Sequence, residues 1–154
     1  MEQSSKNSRD IKASAEKIYS ALTDPSDLVK WQVPGQMTAK IHSFDLRVGG
    51  GYEMSLFYPQ GDPASRGKTK VNEDRFSARF AELIPNKKIV EAITFKSPNP
   101  DFAGEMTLEI NLHAIDAGTR VTFLFRNIPP GIRPEDNEAG TDSSLEKLAR
   151  LVED

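Results

Sequence analysis

Apolar residues recur along this chain with two different periods, and the changes of period mark a helical opening, a long β-rich middle and a helical close. Residues 11–13 close a first strand, and residues 1–8 read as a flexible or strand-leading segment. Ser14 then stands ahead of Ile18, Ala21 and Leu22, whose spacing predicts a helix capped by the serine hydroxyl and ending near Thr23. Asp24-Pro25-Ser26-Asp27 predicts a second short helix. The aspartate accepts backbone N–H bonds, and proline at the first helical position gives up no needed donor. Leu28, Val29 and Trp31 supply its apolar face.

From residue 37 the period falls to two. Segments near 38–47, 51–58, 70–84, 88–96, 105–115 and 119–127 are rich in β-branched and aromatic residues, and most alternate. Between them, residues 59–67 predict a loop, Pro85-Asn86 a turn, residues 98–104 a loop and Asp116-Ala117-Gly118 a hairpin turn. Gly49-Gly50-Gly51 marks a bulged reversal between two strands. Leu145, Leu148, Ala149 and Val152 then return to helical spacing. Ser143 and Glu146 have capping-box spacing, and Pro134 offers an earlier start. The expectation is an α+β fold spanning residues 1–154 as one module: a curved antiparallel sheet of about seven strands wrapped around a long C-terminal helix, with two short helices after the first strand closing one end.

Several segments carry a family resemblance. Residues 44–52 contain Asp45-Leu46-Arg47-Val48-Gly49-Gly50, which resembles the D-L-R-x-G-G signature of the activator of heat-shock-chaperone ATPase homologue family, within the START-like (SRPBCC) superfamily. Residues 11–25 resemble that family's opening strand and helix, and Trp31-Gln32-Val33-Pro34 its tryptophan-to-proline entry loop. Residues 80–90, Gly118-Thr119-Arg120-Val121-Thr122, and Gly140 followed by Leu145-Glu146-Lys147-Leu148 also fit in order. The resemblance implies a helix-grip architecture built around a cavity. Where the family often has tryptophan after the glycine preceding the last helical stripe, this chain has Thr141, which implies a larger or more polar pocket at that end. It also brings in two further functions, contact with a chaperone ATPase and polyketide-cyclase or dehydratase-like catalysis.

Composition narrows the chemistry. Twenty Lys and Arg against 23 Asp and Glu give net charge −3, so no positive field draws a nucleic acid backbone. The absence of cysteine excludes disulfides, thiolate nucleophiles and cysteine-ligated zinc. The first residues lack the apolar core of a secretory signal and no segment has the length of a membrane span, so a cytoplasmic monomer or homodimer without membrane contact is expected.

The histidines are His42 and His113, neither in an H-E-x-x-H arrangement. His113 shares the polar side of its strand with Glu109 and Asn111, whereas His42 shares parity with Phe44 and is expected to face inward or be structurally satisfied. No G-x-S-x-G elbow marks a serine nucleophile, and the triple glycine lacks P-loop spacing. Asp45 and Arg47 are expected to pair at the glycine corner. Glu91 has the parity of Ile89, Ile93 and Phe95, which directs a carboxylate toward an apolar side. There it requires a partner, a cavity mouth or a bulge.

The aromatic and methionine positions at strand parity complete a candidate ligand-lining set: Trp31, Phe44, Tyr52, Met54, Phe76, Phe80, Glu91, Phe95, Met106 and Phe123. The reading is a binder of a small, largely apolar or amphipathic molecule, with no metal, no cofactor and no recognisable catalytic residue. The alternatives are a chaperone-ATPase interaction module and an enzyme using Glu91 or His42 as acid or base.

Overall fold

The computed structural model describes residues 2–33, 35–59 and 73–153. Its first strand, β1 (Ser5–Ile11), begins well before residue 11 and draws the polar lead-in into the sheet. Helix α1 (Ala15–Leu22) follows, with the Ser14 side chain accepting from the Lys17 N–H at 3.1 Å. Helix α2 (Pro25–Trp31) starts as its proline predicts, with Asp24 accepting from the Ser26 N–H at 2.8 Å.

Strands β2 (Thr38–Asp45), β3 (Gly51–Phe57), β4 (Glu73–Ile84), β5 (Lys88–Phe95), β6 (Met106–Ile115) and β7 (Gly118–Arg126) then alternate direction. They form one curved antiparallel sheet in the order β1-β7-β6-β5-β4-β3-β2. The expected loop over 59–67 lies outside the described residues beyond Pro59, as do positions 70–72 of the fourth strand segment and Pro34 of the entry loop. The 98–104 connection contains a single 3₁₀ turn at Pro100–Phe102.

Two local details differ from simple alternation. A bulge between Ile41 and Ser43 makes His42 the unmatched residue. Ile41 and Phe44 both pack on the core while His42 is exposed, so the parity argument that turned it inward fails at the bulge. At the other end of β2 the chain turns immediately after Asp45, whose carbonyl accepts from the Arg47 N–H at 3.1 Å, so Arg47 lies in the turn rather than on the strand. Its guanidinium still pairs with Asp45 at 2.7 Å in solvent.

The glycines that follow are required for different reasons. Gly49 has φ +87°, in the left-handed region. A Cβ on Gly51 would stand 1.9 Å from the Ala78 carbonyl oxygen, so β3 can lie this close to β4 there only without a side chain.

Helix α3 (Pro134–Val152) begins at its proline. The Ser143–Glu146 pair therefore falls inside the helix and caps nothing, and the Ser143 hydroxyl instead accepts from the Gly35 N–H at 3.0 Å. Leu145, Leu148, Ala149 and Val152 are buried as their spacing predicts. They share one apolar core with Ile18, Ala21 and Leu22 of α1, Leu28 of α2 and the inward positions of the sheet. Large apolar side chains thus lie along the second half of α3, and small ones along the first.

Candidate functional site

That asymmetry along α3 leaves a concavity between its first half and the sheet. Residues 139–144 read Ala-Gly-Thr-Asp-Ser-Ser, and across from them stand Trp31, Phe76, Phe95 and Phe123. Between the two walls lies a cleft of about 840 Å³. Its apolar side is built from ring contacts: Trp31 meets Phe123 edge-on at 5.9 Å, and Phe76 meets Phe95 at 6.2 Å. The Trp31 indole N–H donates to the Ala21 carbonyl at 2.9 Å, which satisfies its polar edge between the two short helices.

Polar groups border this space. Thr141 is buried, and its hydroxyl donates to the Asn137 carbonyl at 2.7 Å within the helix. At one edge, the loop between α2 and β2 is tied to α3. Lys147 donates to the Gly35 carbonyl at 2.6 Å and to the Val33 carbonyl, and its partial burial lowers its pKa. Gln32 and Gly35 of this loop line the cleft, as do Arg133 and Asp136 from the start of α3.

Behind Gln32 a chain of hydrogen bonds runs into the core. Gln32 Nε2 donates to the Tyr52 oxygen at 3.2 Å, and the Tyr52 hydroxyl donates to Glu91 Oε1 at 2.8 Å. Tyr52 and Glu91 are each about 3% exposed. Burial pushes the Glu91 carboxyl up to about 7, against the opposing pull of the Tyr52 hydrogen bond. Burial, reinforced by the neighbouring carboxylate, drives the Tyr52 phenol well above its ordinary range. Parity thus turned Glu91 inward, and Tyr52 supplies the partner it needs.

Of the ten residues read from sequence as ligand-lining, the structure places Trp31, Phe76, Phe95, Met106 and Phe123 on the cleft. Phe44, Tyr52, Met54, Phe80 and Glu91 lie away from its wall, the first four in a packed cluster where Tyr52 contacts both Phe44 and Phe80. Gln32, Phe102, Phe125 and the small residues of α3 line the cleft but were absent from that set. The run of small residues before Leu145 was the readable signal for them.

His42 does not converge with Glu91. Its Nε2 lies 2.9 Å from the Ser55 hydroxyl, which in turn donates to Glu73 Oε2. Ser55 sits between the other two, so histidine is not placed to transfer a proton between serine and carboxylate. His113 is exposed. Among the described residues no group of three or more His, Asp or Glu side chains is arranged to hold a metal ion, and no helix is long and apolar enough to cross a membrane.

Comparison with known proteins places this geometry in a family. Residues 12–153 match the family described as Activator of Hsp90 ATPase homolog 1-like protein. A solved structure from Chromobacterium violaceum is 30% identical, with a TM-score of 0.86 over 98% of this chain and 97% of that one. A protein of Nitrosomonas europaea is 23% identical, with a TM-score of 0.71 over 96% of this chain and 92% of that one. An AHSA1-like protein from Aeromonas hydrophila is 18% identical, with a TM-score of 0.72 over 99% of this chain and 92% of that one; at the last two identities the likeness is one of fold. No curated protein matches the chain. With a match covering nearly its whole length and a relative of 30% identity alongside, the chain belongs to the Activator of Hsp90 ATPase homolog 1-like family.

Proposed function

We propose that this protein binds a small, largely apolar molecule in the cleft between the sheet and the first half of α3. The observation that carries the reading is the opposition of Trp31, Phe76, Phe95 and Phe123 to a helix segment without a large side chain. A volume of about 840 Å³ falls in the range of roughly 300–1,000 Å³ that small-molecule sites occupy. The rings supply contact area, and Gln32, Thr141 and Asn137 supply hydrogen-bonding groups at its border. The separate placement of His42 and Glu91 favours binding over acid/base catalysis that uses both. A native mass spectrum of freshly purified protein tests the reading: an added mass that denaturation releases supports carriage of a ligand.

A second reading, contact with a chaperone ATPase, draws on the family description and on the glycine corner, where Leu46 and Val48 are 45% and 60% exposed. Apolar side chains presented on a turn suit a protein contact. Saturable stimulation of a purified cytosolic chaperone ATPase, lost on Val48→Ser, would favour it.

A further inference from the structure

Gln32 Nε2 lies 3.2 Å and Oε1 3.4 Å from the Tyr52 oxygen, so the amide straddles the hydroxyl. That hydroxyl has one proton, and at 2.8 Å it is donated to Glu91. In this arrangement the Tyr52 oxygen takes its bond from Gln32 Nε2, Gln32 Oε1 receives no proton from Tyr52, and Gln32 is one of the residues that line the cleft.

We propose that Gln32 is the polar anchor of the cleft and that the ligand class is a neutral aromatic bearing a hydroxyl, whose O–H donates to Gln32 Oε1 while its ring lies against Trp31 and Phe123. The inference rests on the cleft being a ligand site and specifies its chemistry. Glu91, through Tyr52, sets the direction of the bonds. When the carboxyl is protonated, its O–H donates to the Tyr52 oxygen and the Tyr52 proton turns to Gln32 Oε1, which leaves that oxygen one of its two lone pairs for the ligand and makes it a poorer acceptor. A hydroxyl-bearing ligand therefore prefers the ionised form and expels the Glu91 proton on binding.

The surroundings leave this control to Glu91. Its cross-strand neighbours are Phe80 of β4 and Leu108 of β6, and Tyr52 arrives from β3. On the covering helices, Lys147 is held by loop carbonyls, Glu146 by Arg150 and Lys30 by Asp27, while Tyr19 of α1 responds to its own partial burial. At the cleft border Arg133 pairs with Glu135 and Asp136, and Asp74 accepts from Tyr58. Among the described residues no cation pairs with Glu91, and its titration near 7 lies in an accessible range.

The test is calorimetric titration of the full chain with 2-naphthol and with 2-methoxynaphthalene, which keeps the ring but cannot donate, at about pH 6 and about pH 8. We expect 2-naphthol to bind about two- to threefold tighter at the higher pH, a fraction of one hydrogen bond, and the methoxy compound to bind alike at both. Near pH 7, 2-naphthol binding should release protons, read as a buffer-dependent heat. Glu91→Gln, or Tyr52→Phe if that variant fails to fold, should flatten the pH response. Equal responses from the two probes, or a response that survives both substitutions, overturns the inference and leaves the cleft reading standing. Failure of both probes to bind overturns the two together.

Discussion

The Tyr52 hydroxyl reaches Glu91 Oε1 across 2.8 Å from a strand that is not its neighbour, because β4 lies between β3 and β5 in the sheet. The bond spans the inner face beside Phe80, whose ring centre is 5.8 Å from that of Tyr52. Sheet curvature brings next-nearest strands this close, and the polar pair is sealed inside an apolar wall.

Stability should therefore depend on pH through Glu91. Its carboxyl titrates near 7 in the folded chain against an ordinary value of 4.5. Between those values the folded state keeps a proton that the unfolded state has released, so stability falls as pH rises through the window and levels off above it. The full span corresponds to about 3 kcal/mol. In urea unfolding, Glu91→Gln should gain on the wild type by an amount of this order between about pH 4.5 and about pH 8. Parallel curves for the two proteins would remove the assignment.

Gly51→Ala should be the most damaging alanine substitution at the glycine corner. Its Cβ would meet the Ala78 carbonyl oxygen at 1.9 Å, whereas a Cβ on Gly50 would meet the Asp45 carbonyl oxygen at 2.5 Å. Separation of β3 from β4 should cost roughly 3 kcal/mol or more. Arg47→Ala, which removes a solvent-exposed ion pair, should cost at most about 1 kcal/mol. Thermal midpoints in the order Gly51→Ala, Gly50→Ala, Arg47→Ala, from lowest to highest, are the expected result.

Lys147→Met should loosen the cleft edge while leaving the helix intact. The ammonium holds two loop carbonyls, Val33 and Gly35, against α3. Hydrogen bonds to a charged donor contribute about 1.5–3 kcal/mol where buried, and partial exposure here places the expected loss nearer 1 kcal/mol. Hydrogen exchange should accelerate at Gly35, whose N–H is held by Ser143, with no matching change at Leu148.

Phe80 and Phe123 should separate stability from binding. Phe80 is 1% exposed and lies in the core away from the cleft wall, whereas Phe123 lines it. Phe80→Ala should cost about 3–5 kcal/mol and leave the affinity of the folded fraction for a cleft ligand unchanged. Phe123→Ala should weaken binding as well as stability. Equal loss of affinity in the two variants would contradict the position assigned to the cleft.

Much of the fold was legible because period and punctuation agreed. The caps at Ser14 and Asp24, the alternation in β3 to β7 and the stripe ending at Val152 each rest on local spacing. Of the two readings of His42, the structurally satisfied one fits its contact with Ser55, while the inward one fails because one extra residue in β2 reverses parity, and a bulge leaves no mark in the pattern of apolar residues. The start of α3 was ambiguous between Pro134 and Ser143, and the intervening polar residues hid the continuous helix.

For the site, strand parity found residues that face inward. It did not distinguish rings that pack on one another, as Phe44 does on Tyr52, from rings that border a gap, as Phe123 does. That distinction depends on what α3 sets opposite them. The link from Gln32 to Glu91 joins positions 59 residues apart through Tyr52, 20 residues beyond Gln32, and no spacing rule connects them.

Trp31, the single tryptophan, stands on the cleft wall against Phe123, and its emission reports directly on occupancy. The decisive measurement is a fluorescence titration of wild-type protein and Thr141→Phe with a panel of fatty acids, sterols, flavonoids and aromatic polyketides. A binding cleft predicts saturable quenching or a spectral shift with at least one compound, weakened at least tenfold when the Thr141→Phe ring fills the space, a loss of about 1.4 kcal/mol. No saturable response across the panel, or a response that Thr141→Phe leaves unchanged in a folded protein, would contradict it.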